Sequence, residues 1–106
     1  MPVVIAHSSC PDAETAAHIA QRLVEESLAA CVQTIPGVVS TYRWKGEVRS
    51  DTEVLLLIKT TRAQLAALEA RLPQLHPYDV PELVVVDVVG GLDGYLDWVE
   101  SAARSP

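Results

Sequence analysis

The chain has 106 residues with a formal net charge of −6, and 49% of them are hydrophobic, with no phenylalanine. This length predicts one domain, residues 1–106, with an aliphatic core, and the hydrophobic content excludes a disordered chain. The acidic balance, without any basic cluster, argues against binding to nucleic acid or to an anionic membrane surface and weakly favours a cationic ligand.

The cysteine content and the apolar segments indicate the compartment. The chain has two cysteines, Cys10 and Cys31, in no zinc-finger spacing, and so few cysteines indicate a reducing environment. The apolar run 3–6 is too short for a signal peptide, and the run 83–89 is too short to span a bilayer. We therefore expect a soluble, cytoplasmic protein.

The first elements are a strand and a helix. Residues 3–6 are β-branched or small and predict a short buried strand. A helix is expected next, with Ser9 or Cys10 near its N-cap, Pro11 at its first position and its end near residue 30.

A long hairpin is predicted in the middle of the chain. Residues 31–35 begin its first arm, which is interrupted at Pro36-Gly37 and continues in β-type residues to Trp44. Lys45-Gly46 predicts a tight turn, and residues 53–60 predict a second arm that is apolar on both faces. Alternation along the first arm places three side chains on one face: Ser40, Tyr42 and Trp44.

The second half of the chain predicts a helix, a strand and a last helix. Residues 61–64 resemble a capping box, followed by a helix that Pro73 and Pro77 end. Residues 83–89 predict a buried strand, and the last helix is expected to begin near Asp93.

The order β-α-β-β-α-β with a terminal helix predicts an α+β sandwich of the ferredoxin-like type, with an extended hairpin. Helices of the same chain are expected to cover only one face of the sheet, which leaves an apolar face that a soluble monomer would not expose. The overhanging hairpin also presents unpaired backbone edges. We infer a homo-oligomer of closed cyclic symmetry, and these arguments leave dimer and trimer open.

The segment 76–82 concentrates polar groups beside the predicted strand. Its two prolines restrict the backbone around His76, Tyr78, Asp79 and Glu82, which indicates either a built site or only a proline-rich turn. No Ser-His-Asp order, Gly-rich phosphate loop or paired-carboxylate motif accompanies these groups. An enzyme would therefore rest on proximity alone.

Other side chains have a structural and a functional interpretation. Cys31 is either a small buried residue or a thiolate ligand for Cu(I) or zinc. Cys10 is expected near a helix N-terminus, which would lower the pKa of its thiol, and the His7-x-x-Cys10 spacing could chelate a metal. Lys59 is either a solvated strand end or a cation beside a cleft. Two aromatic residues could line a pocket or anchor an interface: Tyr42 and Trp44.

The segments that carry a family resemblance extend over nearly the whole chain. They are residues 26–32, Ile35-Pro36-Gly37, Ser40-x-Tyr42-x-Trp44-x-Gly46, Lys59-Thr60 and His76-Pro77-Tyr78-x-x-Pro81-Glu82. In this order and spacing they resemble CutA, the family of divalent-cation tolerance proteins.

The resemblance implies a ferredoxin-like protomer in a tight homotrimer, similar to the trimers of PII signalling proteins, which bind effectors between subunits. It implies a role in tolerance of copper and other divalent cations, with copper or another divalent cation as a weakly bound ligand. It implies no catalytic activity and no organic cofactor. The expected partners are further copies of the chain and a metal ion or small ligand. The alternatives are a PII-like signalling or scaffolding trimer, or an unrecognised hydrolase that uses the same cleft.

The resemblance assigns candidate roles residue by residue. Cys31 falls on the family's cysteine after an Ala-Ala pair, and His76 falls on the histidine before its Pro-Tyr pair, so both are candidate metal ligands. Ser8 and Leu75 occupy the positions where some members have a second cysteine and an extra histidine, so the fullest copper-ligand set is not present. Cys10 or His7 could substitute from nearby. The implied ligand-binding cleft contains Tyr42, Trp44, Lys59, Tyr78 and Glu82.

Overall fold

The computed structural model describes residues 1–104 of the chain. Its order of elements confirms the predicted α+β fold with a four-stranded sheet and three main helices. The elements are β1 (Val3–Cys10), α1 (Ala13–Glu25), β2 (Cys31–Trp44), β3 (Glu47–Thr61), a single 3-10 turn (Arg62–Gln64), α2 (Leu65–Leu75), β4 (Val84–Asp87) and α3 (Asp93–Ala102). No helix within residues 1–104 combines the length and apolar character needed to cross a membrane.

The strands form one antiparallel sheet in the order β2-β3-β1-β4. β1 pairs with β3 along its whole length, from Val3 opposite Thr61 to Cys10 opposite Val54. β4 pairs with β1 over only four residues, so it is shorter than the predicted run 83–89. The β2–β3 hairpin overhangs the end of β1 and makes the molecule 44 Å long against 26 and 22 Å across.

The two faces of the sheet are covered differently. α1 and α2 pack on the face that carries Ala6 and Leu56, where the main core lies. α3 packs against Val3, which points to the opposite face, and this corrects the expectation that the helices cover one face only. The chain can reach that face because β4 is an edge strand. We call the part of this face that α3 leaves uncovered the open face; its apolar residues are Ile5, Ile35, Leu55, Leu57, Val84 and Val86.

The predicted start of α1 is wrong by two residues. β1 continues to Cys10, so neither Ser9 nor Cys10 caps the helix. Asp12 is the N-cap, and its carboxylate accepts a hydrogen bond from the backbone N–H of Thr15 at 2.7 Å. A carboxylate satisfies a free N–H at a helix start and interacts favourably with the helix dipole. The helix ends at Glu25, before the predicted end near residue 30.

The hairpin arm β2 is not interrupted at Pro36-Gly37. Ile35 pairs with Leu55 and Val38 pairs with Glu53, so β2 has one extra residue at this point and forms a bulge. Gly37 supplies the positive φ of 78° that the bulge requires. The extra residue shifts the alternation of β2, so Ser40, Tyr42 and Trp44 point to the same face as the odd-numbered residues before the bulge.

The predicted boundaries of α2 also need correction. Thr61 precedes the 3-10 turn without a side-chain capping bond, so residues 61–64 do not form a capping box. Pro73 lies inside α2, in its last turn, and the helix continues to Leu75. A proline this close to the end removes only one hydrogen bond of the helix.

The chain leaves α1 through Ser27, a residue with a strained backbone. Ser27 has a φ of 58°, while Leu28 N–H bonds to the carbonyl of Leu23 and Ser27 N–H bonds to that of Val24, which is a Schellman arrangement. Glycine adopts this conformation without the cost of a β-carbon. We expect Ser27→Gly to raise the free energy of unfolding by about 1 kcal/mol, measured by urea unfolding. Ser27→Ala is the matched control and should give no gain; equal stability of the two variants would contradict this explanation.

Candidate functional site

A cleft of about 380 Å³ lies on the open face, where the hairpin overhangs β1. The two hairpin arms form its floor, and the loop after α2 forms one wall. The bulge in β2 is what brings the aromatic residues of the first arm onto this face. The cleft is lined by Ser9, Ser40, Tyr42, Trp44, Arg49, Asp51, Glu53, Tyr78, Asp79, Val80 and Glu82.

Two phenols in the cleft donate hydrogen bonds to carboxylates. The hydroxyl of Tyr78 donates to Oε2 of Glu53 at 2.8 Å, and the hydroxyl of Tyr42 donates to Oδ2 of Asp51. Burial and the bond to Glu53 raise the pKa of Tyr78, while the bond to Asp51 is the main cause that raises the pKa of Tyr42. Both phenols therefore stay protonated at neutral pH and hold the carboxylates in fixed positions.

Glu53 is the buried member of this group. It is only 8% exposed, and Tyr78 is its hydrogen-bond partner within residues 1–104. A carboxylate removed from water is costly unless other groups compensate its charge. Glu53 therefore gives the cleft a carboxylate whose charge is only partly compensated by one phenol.

His76 fixes the wall of the cleft to the sheet. Its Nε2–H donates to the carbonyl of Ser9 at 2.7 Å, and its Nδ1 accepts the backbone N–H of Tyr78 at 3.2 Å. The two rings of His76 and Tyr78 also pack at 4.7 Å between centroids. His76 is only 7% exposed, and both of its nitrogens are occupied by backbone groups.

The thiol of Cys10 lies 3.8 Å from Nε2 of His76 and is fully buried. Burial, together with the negative charges of Glu53 and Asp12, raises the pKa of Cys10 to about 11. The expectation of a lowered thiol pKa is wrong because Cys10 is the last residue of β1 and not a helix N-terminus. Cys10 and His76 do not form an activated nucleophile, because the Nε2–H of His76 already donates to the carbonyl of Ser9 and the thiol of Cys10 stays protonated.

The raised thiol pKa predicts a loss of stability at alkaline pH. In the unfolded chain the thiol ionises near its ordinary value of 9.0, so between pH 9 and 11 the unfolded state releases a proton that the folded state keeps. Stability contributed by the protonated thiol is complete up to about pH 8 and should fall by about 1 kcal/mol between pH 8 and 10. Urea unfolding of Cys10→Ala should show a smaller decrease than the parent chain, and parallel decreases would contradict the assignment.

The two candidate metal ligands lie apart in the protomer. Cys31 pairs with Lys59, whereas Cys10, beside His76, pairs with Val54, and these rows are about 17 Å apart along the strand. Cys31 is a free thiol with intermediate burial on the face opposite the main core. Within residues 1–104 no group of three or more His, Cys, Asp or Glu side chains could hold a metal ion.

The proposed replacements do not complete the set. Ser8 is fully buried on the core face, and its hydroxyl has no hydrogen-bond partner within residues 1–104. His7 and Cys10 belong to the same strand three residues apart, so their side chains point to opposite faces and cannot chelate one ion. Leu75 ends α2 and has no ligand atom in its side chain.

The structure brings four of the five predicted cleft residues together: Tyr42, Trp44, Tyr78 and Glu82. Lys59 is not among them. It lies six residues from Glu53 on β3, about 20 Å away along the strand. Its ammonium group donates to the hydroxyl of Tyr95 in α3 at 3.3 Å and lies 5.4 Å from the centre of that ring.

Sequence reasoning missed the charged residues of β3 that line the cleft. Arg49, Asp51 and Glu53 were not singled out because they belong to the return arm of the hairpin. A signal was present: counting back from the turn at Lys45-Gly46 pairs Trp44 with Glu47, and hence places Asp51 opposite Ser40. Alternation along β3 then places Glu53, two residues further on, on the same face as Asp51.

Four carboxylates and one guanidinium line the cleft. Arg49 interacts at 3.5 Å with Glu47, which lies outside the cleft, so it offsets little of this negative charge. With three aromatic residues and no activated nucleophile, the arrangement is suited to binding.

Comparison with known proteins gives one consistent result. The sequence model of the family described as CutA1 divalent ion tolerance protein matches residues 4–102. Divalent-cation tolerance protein CutA of Thermus thermophilus is 52% identical over 89 residues, which cover 84% of this chain and 86% of that protein. The chloroplastic Protein CutA of Arabidopsis thaliana is 39% identical over 105 residues, 99% of this chain, and this chain spans 58% of its length. The crystal structure of CutA from Xylella fastidiosa has a TM-score of 0.95 at 44% identity and covers 98% of this chain and 100% of that chain.

Proposed function

Because the chain belongs to the CutA1 divalent ion tolerance family, we propose that it is a non-enzymatic tolerance protein that acts as a cytoplasmic homotrimer. In this proposal a small ligand or a metal ion binds at a cleft near the subunit boundary. The observation that carries the proposal is the cleft of about 380 Å³ with its fixed carboxylates and aromatic side chains on the open face. The cytoplasmic location rests on the low cysteine content and on two free thiols, Cys10 and Cys31.

The open face and the overhanging hairpin support self-association. Val84 is 56% exposed, Val86 is 43% exposed and Ile35 is 41% exposed, although all three lie on the same apolar face. A contiguous apolar surface of this kind is typical of an interface between subunits. Light scattering after size-exclusion chromatography tests this directly, and a monomeric mass at micromolar concentration would exclude the trimer.

The residues of one protomer do not fit a metal centre. Cys31 and His76 are far apart, and the nitrogens of His76 already bond to Ser9 and Tyr78. Of the two candidate metal ligands only Cys31 remains, and in this proposal any further ligands come from outside the protomer. A soft thiolate of this kind suits Cu(I) or Zn²⁺.

Calorimetric titration with Cu(I), Cu(II) and Zn(II) at neutral pH tests the metal part. Stoichiometric binding that disappears in Cys31→Ser supports it, and His76→Gln serves as the comparison because it changes the other candidate ligand. Absence of binding heat with all three ions, or binding that Cys31→Ser leaves unchanged, would exclude Cys31 as a metal ligand.

The cleft also favours the PII-like alternative, in which a trimer responds to a small ligand. Four acidic residues line a space large enough for an organic molecule, whereas the two metal-ligand candidates lie apart. The non-enzymatic part of the proposal is supported by the inert Cys10–His76 pair. It is tested by screening phosphate and acyl esters against the protein and Glu82→Gln, where equal background rates are expected.

A further inference from the structure

We propose that the cleft between the hairpin and the loop after α2 binds an organic cation, an ammonium ion attached to an apolar group. This inference rests on the proposed small-ligand function of the cleft and names the class of ligand. It follows from three properties of the cleft taken together: the sign of its charge, the nature of its apolar surface and the burial of one carboxylate.

The charge of the cleft selects a cation. Its four carboxylates belong to Asp51, Glu53, Asp79 and Glu82, and its only guanidinium belongs to Arg49. Like charges at close range disfavour an anionic ligand. The net charge of −6 for the whole chain gives the same preference at long range.

The low exposure of Glu53 disfavours a neutral ligand that fills the cleft. The residue as a whole is 8% exposed, and Tyr78 donates a hydrogen bond to one of its two carboxylate oxygens. A neutral molecule seated over it would remove the remaining water without supplying a charge, which is costly. An ammonium group supplies both the charge and the N–H donors for the second oxygen.

The aromatic residues favour an organic cation over an inorganic one. Tyr42, Trp44 and Tyr78 are each about 40% exposed and line the cleft with ring surface. Ring faces attract ammonium ions and also bury an attached apolar group. A hard divalent ion would require several oxygen ligands converging at 2.0–2.6 Å, and no group of three acidic side chains in residues 1–104 is arranged to hold one.

The volume agrees with a small organic molecule. About 380 Å³ falls in the lower part of the range observed for ligand pockets, which suits a ligand with a single ring or a short chain. The two phenol–carboxylate bonds keep Asp51 and Glu53 in place before the ligand arrives, so little conformational freedom is lost on binding.

Three probes with the same carbon skeleton and different charge test the proposal: 2-phenylethylammonium, 2-phenylethanol and phenylacetate. Binding is measured by calorimetry and by the fluorescence of Trp44 in a Trp98→Phe background, because the chain has only these two tryptophans. We expect the ammonium ion to bind with a dissociation constant below about 1 mM, and the alcohol and the carboxylate to bind at least ten times more weakly.

Matched variants locate the binding. Glu53→Gln keeps an acceptor for the hydroxyl of Tyr78 but removes the charge, and Trp44→Leu removes ring surface; each should weaken binding of the ammonium ion about tenfold. Glu69→Gln removes an equal charge from the exposed side of α2, and Trp98→Leu removes an equal ring from α3. Both controls should bind the probe like the parent chain, with folding checked by circular dichroism.

The outcomes separate this inference from the proposed function. Equal binding of the ammonium ion and the alcohol, tighter binding of phenylacetate, or equal effects of the variants and their controls would overturn the inference. Displacement of the ammonium probe by one equivalent of Cu(II) would assign the cleft to a metal ion and overturn it as well. If the ammonium ion fails but neutral or anionic compounds change the fluorescence of Trp44, the small-ligand function stands; if no compound does, both are excluded.

Discussion

His76→Ala is expected to lower the free energy of unfolding by about 3 kcal/mol in buffer that contains EDTA. The ring is 7% exposed and packs against Tyr78, so its removal leaves a cavity. It also removes the donor to the carbonyl of Ser9 and the acceptor for the backbone N–H of Tyr78. Urea unfolding at one fixed protein concentration measures the loss, since the stability of an oligomer depends on concentration.

The experiment separates a structural histidine from a metal ligand. A histidine whose main task is to hold a metal contributes little to the apoprotein, so its removal would be nearly neutral in EDTA. His76→Gln is the control, because its terminal amide can still donate to Ser9, and it should recover about 1 kcal/mol of the loss. Equal stability of the parent chain and His76→Ala in EDTA would contradict the structural role and restore His76 as a candidate ligand.

The order of elements was predictable because each element leaves a local signal. Hydrophobic periodicity, Lys45-Gly46 at the turn and the apolar runs of the strands suffice for the order β-α-β-β-α-β. The end of β1 was not predictable from local signals, because a cap by Ser9 competes with strand pairing of Cys10 to Val54, and only the fold decides between them. Tertiary pairing prevailed over the local capping preference.

The candidate site was predictable in part, and the reason lies in the bulge at Pro36-Gly37. A proline and a glycine between two β-type runs predict a break as readily as a bulge. The choice decides whether Tyr42 and Trp44 lie on the same face as Ile35, while the turn at Lys45-Gly46 decides which residues of β3 lie beside them. The family resemblance supplied the aromatic residues, while Asp51 and Glu53 needed the register of the hairpin.

The metal candidates show a different limit. Cys31 and His76 match family positions one at a time, but a match of residue types contains no distance between them. The strand register places Cys31 about 17 Å along the sheet from Cys10, and His76 lies beside Cys10. In the same way, α3 reaches the face opposite the main core because the chain passes around the edge strand β4. Such distances and positions depend on strand pairing between distant segments, and neither the hydrophobic periodicity nor the spacing of motifs predicts that pairing.

The two phenols in the cleft each donate a hydrogen bond to a carboxylate, but the two carboxylates differ in burial. Tyr78→Phe is expected to lower the free energy of unfolding by about 2 kcal/mol, because Glu53 is 8% exposed and would keep a buried charge without its donor. Tyr42→Phe removes the equivalent bond to Asp51, which is exposed, so water replaces the phenol and little change is expected.

A double-mutant cycle with Glu53→Gln measures the contribution of the Tyr78–Glu53 pair. If the burial of Glu53 causes the loss of stability, Tyr78→Phe should lower the free energy of unfolding much less in the Glu53→Gln background than in the parent chain. The comparison also bears on ligand binding, because a carboxylate that destabilises the fold when it lacks a donor is one that a bound cation would stabilise. Equal effects of Tyr78→Phe and Tyr42→Phe would show instead that Glu53 is solvated. Its charge would then not require a bound cation, which would count against the proposed ligand class.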